Sequence, residues 1–194
     1  MRLVVGITGA TGVILGIRLL QVLSEQKKVE THLVISEAGE KNIKYETDWE
    51  LKDVRALASF SYDIDDIGAR IASGSFKRDA MIVIPCSIKT LSGLCYSYAS
   101  NLLLRAGDVT LKERKPLILV ARETPLHRGH LQAMLQLTEM GAIIMPPVPT
   151  FYHKPKTIDD IINHTVSRVL DLVDLDPKIE KRWTGLPPSR KKKA

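Results

Sequence analysis

Polar side chains that could hold an anion or move a proton follow several apolar segments of this sequence, at the point where each segment ends. Open α/β sheets bind ligands at the carboxyl ends of their parallel strands, so residues at equivalent strand ends are expected to share one site. The residues that fit this description are Thr8 to Gly12, Ser36, Cys86 to Thr90, Arg122 to Thr124 and Phe151 to His153.

The first of these groups has the composition of an anion-binding turn. The apolar segment 3–8 runs directly into Gly9-Ala10-Thr11-Gly12, and apolar residues then continue at helical spacing. Small residues let the backbone approach a ligand, and a helix N-terminus offers free N–H groups and the positive end of a dipole. The pattern predicts a nucleotide or flavin phosphate here; a turn that only packs strand against helix is the alternative.

The later groups each allow a chemical and a purely structural interpretation. Arg122 suits an anion and Glu123 can move protons, although the two could also form a surface ion pair of small energetic effect. Ser87 and Thr90 could bind polar ligand atoms or simply cap the following helix. Cys86 ends an apolar strand, which favours packing over reactivity.

A dinucleotide-binding dehydrogenase is a competing interpretation of the glycine turn. Short-chain dehydrogenases also need Tyr and Lys one helical turn apart, and Tyr152 and Lys156 have that spacing. Pro155 lies between them and is incompatible with the required helix. The second strand also ends in Ser36, where an acidic residue is expected to bind a ribose.

Alternating strand and helix patterns must position these residues. They predict a single domain with a mostly parallel sheet covered by helices on both faces. The helix from Thr157 has the clearest pattern, since Thr157 and Asp160 form a capping-box signature. Strands are predicted at 3–8, 31–36, 80–85, 116–121 and 142–145, and helices after the first strand and at 51–58 (capped by Asp48), 91–115, 131–140 and 157–173.

Composition excludes several function classes. The 194 residues carry a net charge of +6, but four of those units lie in 190–193, so no basic surface for nucleic acid is predicted. No apolar stretch approaches the roughly 20 residues of a membrane helix. Cys86 and Cys95 form no metal-ligand pattern, and two reduced cysteines are typical of a cytoplasmic protein. The predicted organisation is a domain at 1–186 and a basic tail at 187–194.

Five sequence blocks together resemble the UbiX-type flavin prenyltransferases, most closely the branch that forms the B subunit of phenolic acid decarboxylases. The resemblance extends from Leu3 to about Leu186. The blocks are GITGATG at 6–12, PCSIKTL at 85–91, LKE at 111–113, RETPL at 122–126 and PPVPTFYH at 146–153.

The resemblance implies a flavodoxin-like fold, within the Rossmann-like three-layer α/β sandwiches, assembled as a homododecamer with FMN at subunit interfaces. It implies that reduced FMN is alkylated by dimethylallyl phosphate at N5 and C6, closing a fourth ring and releasing phosphate without a metal. The prenylated flavin then serves a decarboxylase of the UbiD type.

The resemblance also implies residue roles. Lys112, Tyr152 and Arg168 grip the prenyl phosphate, Glu123 handles the proton lost from the flavin ring, and Trp183 covers the site. The residues implied to hold FMN are Gly9, Ala10, Thr11, Ser36, Ser87, Ile88, Lys89, Thr90 and Arg122.

Two other functions remain open at this stage. A flavin-dependent cysteine decarboxylase of the same fold usually places a catalytic His after the first helix, and His32, inside a predicted strand, is a poor candidate. A non-catalytic FMN carrier for a decarboxylase is the second. Carriage alone does not require Lys112, Glu123, Tyr152 and Arg168, whose presence favours the enzyme.

Overall fold

The computed structural model describes residues 1–180 and 185 and consists of alternating strands and helices. A short 3-10 helix, Arg70–Ala72, precedes the fourth strand. In chain order the elements are β1 (Arg2–Ile7), α1 (Val13–Ser24), β2 (Glu30–Ile35), α2 (Glu37–Glu46), α3 (Leu51–Ala56), β3 (Phe60–Tyr62), β4 (Ala80–Cys86), α4 (Ile88–Cys95), α5 (Leu102–Lys112), β5 (Leu117–Ala121), α6 (Arg128–Glu139), β6 (Ala142–Ile144) and α7 (Ile158–Asp171).

The six strands form one sheet in the order β3-β2-β1-β4-β5-β6, and every neighbouring pair is parallel. This is the strand order of doubly wound Rossmann-like folds. Because all strands point the same way, the turns that follow them lie at one edge of the sheet. The predicted fold class is confirmed, with a sheet that is parallel throughout.

Side chains alternate between the two faces of the sheet, as the twofold repeat of a strand requires. On β4, Ile82 and Ile84 belong to the core beneath α1 and α7, whereas Met81 and Val83 belong to the core beneath α4, α5 and α6. The β4 side chains at the centre of each core are completely buried. The three layers therefore hold the central strands rigidly, and with them the turns at their carboxyl ends.

A crevice opens where the strand order reverses, between β1 and β4. The helices that follow these two strands pack on opposite faces of the sheet, so their first turns diverge. The buried hydroxyl of Thr8 joins the two strand ends: it donates to the carbonyl of Pro85 at 2.7 Å and accepts from the backbone N–H of Ser87 at 2.8 Å. Ligands bind at this point in open α/β sheets.

Four elements differ from the sequence-based expectations. Strand β3 was not predicted, because none of its three residues is buried and no strand pattern results. Helix α2 was not predicted, because only Gly39 and Ile43 of its ten residues are buried and no apolar stripe results. The segment predicted as one helix over 91–115 is two helices, broken near Ser97, which has a left-handed φ of 51°. Helix α3 begins after Glu50, so Asp48 is not its N-cap.

The last helix agrees with its prediction. Thr157 caps α7 and forms the full capping box with Asp160. Within the part of the chain that the structure describes, no helix is long and apolar enough to cross a membrane. The predicted boundary at residue 186 and the basic tail at 187–194 lie outside the described residues.

His32 is a buried titratable group in β2. Its side chain is 0% exposed, and its ring stacks on Phe60 and Tyr62. One ring nitrogen lies 2.9 Å from the Tyr62 hydroxyl and the other 2.8 Å from a Glu30 carboxylate oxygen. Burial lowers the pKa of His32 below its ordinary value of 6.5, and the hydrogen bond from His32 lowers the pKa of Glu30.

Acidification should therefore destabilise the fold through His32. The unfolded chain binds a proton near the ordinary histidine pKa while the buried ring resists it, so this contribution is present above pH 6.5 and is lost as the pH falls. The melting temperature should fall between about pH 7.5 and about pH 5.5, and should fall less in His32→Phe. The matched control, Leu135→Phe at an exposed position of α6, adds a phenyl ring without removing a titratable group and should keep the wild-type pH dependence. An unchanged pH dependence in His32→Phe would contradict this assignment.

Candidate functional site

The crevice between β1 and β4 contains a cavity of about 280 Å³. Five of the predicted FMN-binding residues line it and are thereby brought together from three different strand ends. They are Gly9, Ser36, Ser87, Lys89 and Thr90. The remainder of the wall was not predicted and comprises Glu37, Ala38, Lys41, Ile64, Asp65, Ser100, Asn101 and Leu104.

Two helices begin at this cavity, and a serine caps each. The Ser36 hydroxyl accepts from the backbone N–H of Gly39 at 3.1 Å, which begins α2. The Ser87 hydroxyl accepts from the backbone N–H of Thr90 at 3.4 Å and donates to its hydroxyl at 3.2 Å, which begins α4. Both helix N-termini add positive potential, as does the ammonium group of Lys89. The arrangement suits a phosphate.

Glycine is required at position 9 by the packing of α2. A Cβ atom there would lie 2.3 Å from the Cβ of Ala38, far inside van der Waals contact. The glycine thus lets the turn after β1 approach the start of α2 closely. This close approach brings Ser36 and the turn to the same cavity wall.

The N-terminus of α1 is occupied by a side chain of the protein itself. The carboxylate of Glu46, at the end of α2, accepts from the backbone N–H groups of Gly12 at 2.8 Å and Val13 at 3.3 Å. The sequence pattern predicts a phosphate at this helix end, and in the folded chain the Glu46 carboxylate contacts its first N–H groups. Ala10 and Thr11 lie in this turn but do not line the cavity. The difference arises from α2, the helix that sequence patterns missed.

Arg122 and Glu123 follow β5, the strand next to β4. The backbone N–H of Arg122 donates to the carbonyl of Cys86 at 3.1 Å, which fixes the residue beside the end of β4. The Glu123 carboxylate accepts from the backbone N–H of Thr124 at 3.0 Å. Both side chains are exposed and neither lines the cavity. Ile88, the half-buried first residue of α4, does not line it either.

Neither Tyr152 nor Arg168 lines the cavity. Each is a neighbour of His164 of α7, Tyr152 by ring contact and Arg168 along the helix. Tyr152 is 52% exposed, and its ring packs edge-on against His164 of α7. Arg168 is one helical turn further along α7, is half-exposed and pairs with Asp171. A second cavity of about 470 Å³ lies beside this region and is lined by His153, Asn163 and Glu180 among others.

Lys112 lies at the opposite edge of the sheet. Lys112 is the last residue of α5, and the chain enters the start of β5 a few residues later. The carbonyl of Pro116, just before β5, accepts from the N–H of Met81 at the start of β4, so this end of α5 lies where the strands begin. The Lys112 ammonium group is paired with Glu113. Within one chain the structure therefore does not bring Lys112 to the crevice at the carboxyl edge.

Cys86 has the packing role that the sequence favours, and His32 lies in a strand, where the sequence makes it a poor candidate for catalysis. Cys86 is completely buried, and desolvation raises the pKa of its thiol to about 12, so it packs as a neutral group. His32 is enclosed by aromatic rings and does not line the cavity. Tyr152 and Lys156 lie in an irregular segment before α7, as Pro155 predicted. Trp183 lies outside the described residues.

Sequence reasoning missed Lys41, Glu46 and Asn101. The first two lie on α2, whose weak apolar pattern hid the helix that positions them. Asn101 caps α5 by accepting from the N–H of Leu104 at 2.9 Å. An asparagine directly before a helix is a recognisable N-cap signal. It was overlooked at Asn101 because the segment was predicted as the middle of one long helix.

Known proteins resemble this chain in sequence and in fold. Residues 1–173 match the Flavoprotein family. The flavin prenyltransferase UbiX of Thauera aromatica is 56% identical over 185 residues, which cover 95% of each chain.

Two solved structures have the same fold. That of AnUbiX in complex with FMN and dimethylallyl pyrophosphate has a TM-score of 0.94 at 51% identity and covers 96% of this chain and 98% of that one. That of a dodecameric FMN-dependent UbiX-like decarboxylase from Escherichia coli O157:H7 has a TM-score of 0.94 at 52% identity and covers 95% of this chain and all of the other. With more than half of its residues identical over nearly its whole length, the chain belongs to the UbiX-type flavin prenyltransferases of the Flavoprotein family.

Proposed function

We propose that this chain is a flavin prenyltransferase that transfers a dimethylallyl group from dimethylallyl phosphate to reduced FMN. The observation that carries the proposal is the crevice at the strand-order reversal, where two serine-capped helix N-termini meet beside Lys89. Its relatives named as flavin prenyltransferases support the chemistry. The named relative with FMN and dimethylallyl pyrophosphate supports both ligand classes.

The residues at the crevice fit FMN. The N-termini of α2 and α4 would hold its phosphate, with Ser36, Ser87 and Thr90 as hydroxyl partners and Lys89 and Lys41 as cations. Gly9, Ala10, Thr11, Ile88 and Arg122 are proposed as the remaining contacts. Reduced FMN supplies the nucleophilic flavin ring that accepts the prenyl group.

The prenyl phosphate requires cations and a hydroxyl of its own. Arg168 and Lys112 would neutralise the phosphate as the carbon–oxygen bond breaks, and the Tyr152 hydroxyl would donate a hydrogen bond to it. Arginine is suited to this role because its planar fork binds two phosphate oxygens at once. Trp183 is proposed as a cover over the bound donor.

Glu123 is proposed as the proton acceptor. Closing the fourth ring requires a proton to leave the flavin carbon, and a positioned carboxylate is a suitable base. Glu123 directly follows Arg122, whose backbone is fixed beside the end of β4. The residue therefore stands at the same edge of the sheet as the proposed FMN contacts.

We further propose that the working site is built by several copies of the chain, in a homododecamer. Lys112 is at the opposite edge of the sheet from the crevice, so it reaches a bound prenyl phosphate only from a neighbouring copy. The cavity of about 280 Å³ is also smaller than the roughly 300–1,000 Å³ of complete small-molecule sites. Large apolar side chains such as Phe151 and Tyr96, 70% and 76% exposed, are available for subunit contacts. A named relative is dodecameric.

The product is proposed to serve a partner enzyme. A prenylated flavin is a cofactor rather than an end product, and a decarboxylase of the UbiD type acting on an aromatic acid is the proposed recipient. The free cysteines Cys86 and Cys95 support work in a reducing compartment, which we infer to be the cytoplasm.

The purified chain should bind FMN in preference to NAD and convert it. Incubation with reduced FMN and dimethylallyl phosphate under anaerobic conditions should give a flavin whose mass has increased by one prenyl group, with release of phosphate. Mass spectrometry of the extracted flavin and a phosphate assay measure this. Dimethylallyl diphosphate is the parallel arm, and oxidised FMN is the control that should not react. Tight binding of NAD without binding of FMN would contradict the proposal.

Glu123 and Arg168 should fail at different steps. Glu123→Gln should still bind FMN and transfer the prenyl group, but the absorbance of the finished four-ring flavin should develop at least about 100-fold more slowly, the usual scale for a lost general base. Arg168→Ala should give little alkylation, because the leaving phosphate is no longer stabilised. Single-turnover absorbance and flavin mass separate the two. Normal ring closure in Glu123→Gln would show that its assigned role is wrong.

Assembly should be visible in solution. Light scattering on the purified protein should give a mass near twelve times that of the chain. Neighbouring copies would cover the exposed aromatic side chains and complete the cavity. A charge placed at an interface, Phe151→Asp, should lower the mass and the activity together. Lys44→Gln, at an exposed position on α2, lowers the net charge by the same one unit and serves as the charge-matched control. A fully active monomer at every concentration would refute the composite site.

A further inference from the structure

The segment that carries Tyr152 packs on two histidine rings to which none of the roles above has been assigned. His153 and His164 are stacked with 4.6 Å between ring centroids and 18° between their planes. The Tyr152 ring stands edge-on to both, at 5.5 Å from His153 and 5.8 Å from His164. We refer to these three residues as the ring cluster. Edge-to-face and stacked contacts at these distances are attractive and directional, so they limit where the tyrosine ring can point.

The ring cluster is fixed to the protein at two places. His164 is 6% exposed on α7, and its Nδ1 lies 2.6 Å from a carboxylate oxygen of Glu180, in the segment that follows α7. The Nδ1 of His153 lies 3.1 Å from the hydroxyl of Thr150. Both imidazoles are therefore held by hydrogen bonds, and neither ring can rotate freely beneath the tyrosine.

His164 also relates Tyr152 to Arg168. Residues four apart on a helix lie on one face, so Arg168 projects one turn beyond His164 on α7. Arg168 is half-exposed and Tyr152 is 52% exposed, whereas His164 is buried between helix and loop. Tyr152 and Arg168, two exposed polar residues that suit a phosphate, are thus both next to the same buried residue, His164.

We infer that His164, held by Glu180, is a positioning residue that sets Tyr152 relative to Arg168 for binding of the prenyl phosphate. This inference rests on the proposed function, since it assigns a role to the residues proposed to hold the donor. His164 itself touches neither the donor nor FMN. It acts by restricting the Tyr152 ring, so that less conformational freedom is lost when the phosphate binds.

The inference predicts a defect confined to donor binding. In the full-length protein with FMN bound, His164→Ala should raise the KM for dimethylallyl phosphate about tenfold and change kcat by less than about twofold, the pattern expected when binding alone is impaired. FMN affinity should stay at the wild-type value. His164→Phe keeps a ring under Tyr152 but loses the hydrogen bond to Glu180, so it should recover only part of the loss. The matched control is Thr165→Val at the neighbouring buried residue of α7, whose hydroxyl donates to the Ile161 carbonyl. It should leave the KM unchanged.

A double-mutant cycle separates positioning from general destabilisation. If His164 acts through Tyr152, then His164→Ala should add less than about twofold to the KM in a Tyr152→Ala background, because the interaction it serves is already absent. Titration calorimetry of dimethylallyl phosphate into protein loaded with oxidised FMN gives the same comparison without turnover. Equal effects of His164→Ala in both backgrounds, or a matching loss of FMN affinity, would overturn the inference. Product formation by the wild type alongside an unchanged His164→Ala would overturn the inference and leave the proposed function intact, whereas a wild type that binds no donor overturns both.

Discussion

The site depends on one buried hydroxyl. Thr8 is 1% exposed at the end of β1, and its side chain donates to one backbone group and accepts from another on the far side of the crevice. Buried polar groups of this kind are costly to leave unpaired, so the two contacts form together. They hold the turns after β1 and β4 at a fixed separation. Ser87 and the first turn of α4 are thereby set against Gly9, and the cavity lies between them.

Packing around this link explains why the wall of the cavity is built from short segments. Gly9 admits α2 at a distance that no other residue allows, and α2 brings its serine cap to the same wall. The hydrophobic layers on both faces of the sheet hold the central strands in place. The carboxyl edge is then free to carry polar residues that contribute little to stability. Such a division between a rigid interior and a chemically active edge is usual in doubly wound folds.

Sequence patterns were informative wherever periodicity was strong. The central strands are apolar throughout, and α7 has both a clear apolar face and a capping box, so sheet, order of elements and strand-end residues could be predicted. Helix α2 could not, because it rests on the protein through two buried residues and exposes the others. The position of Lys112 was equally hidden, since it depends on how α5 runs back along the sheet and not on local sequence. Tertiary packing decides both points.

Glu46 makes the electrostatic potential differ between the start of α1 and the starts of α2 and α4. Its carboxylate, bound to the first N–H groups of α1, neutralises the positive end of that helix, while the ends of α2 and α4 remain open to the cavity. An elongated ligand with a single anionic terminus is thus attracted to the starts of α2 and α4 and not to the start of α1. The electrostatic asymmetry selects which way round such a molecule lies. It also means that the N–H groups of Gly12 and Val13 are already hydrogen-bonded in the folded chain, so ligand binding does not have to order them.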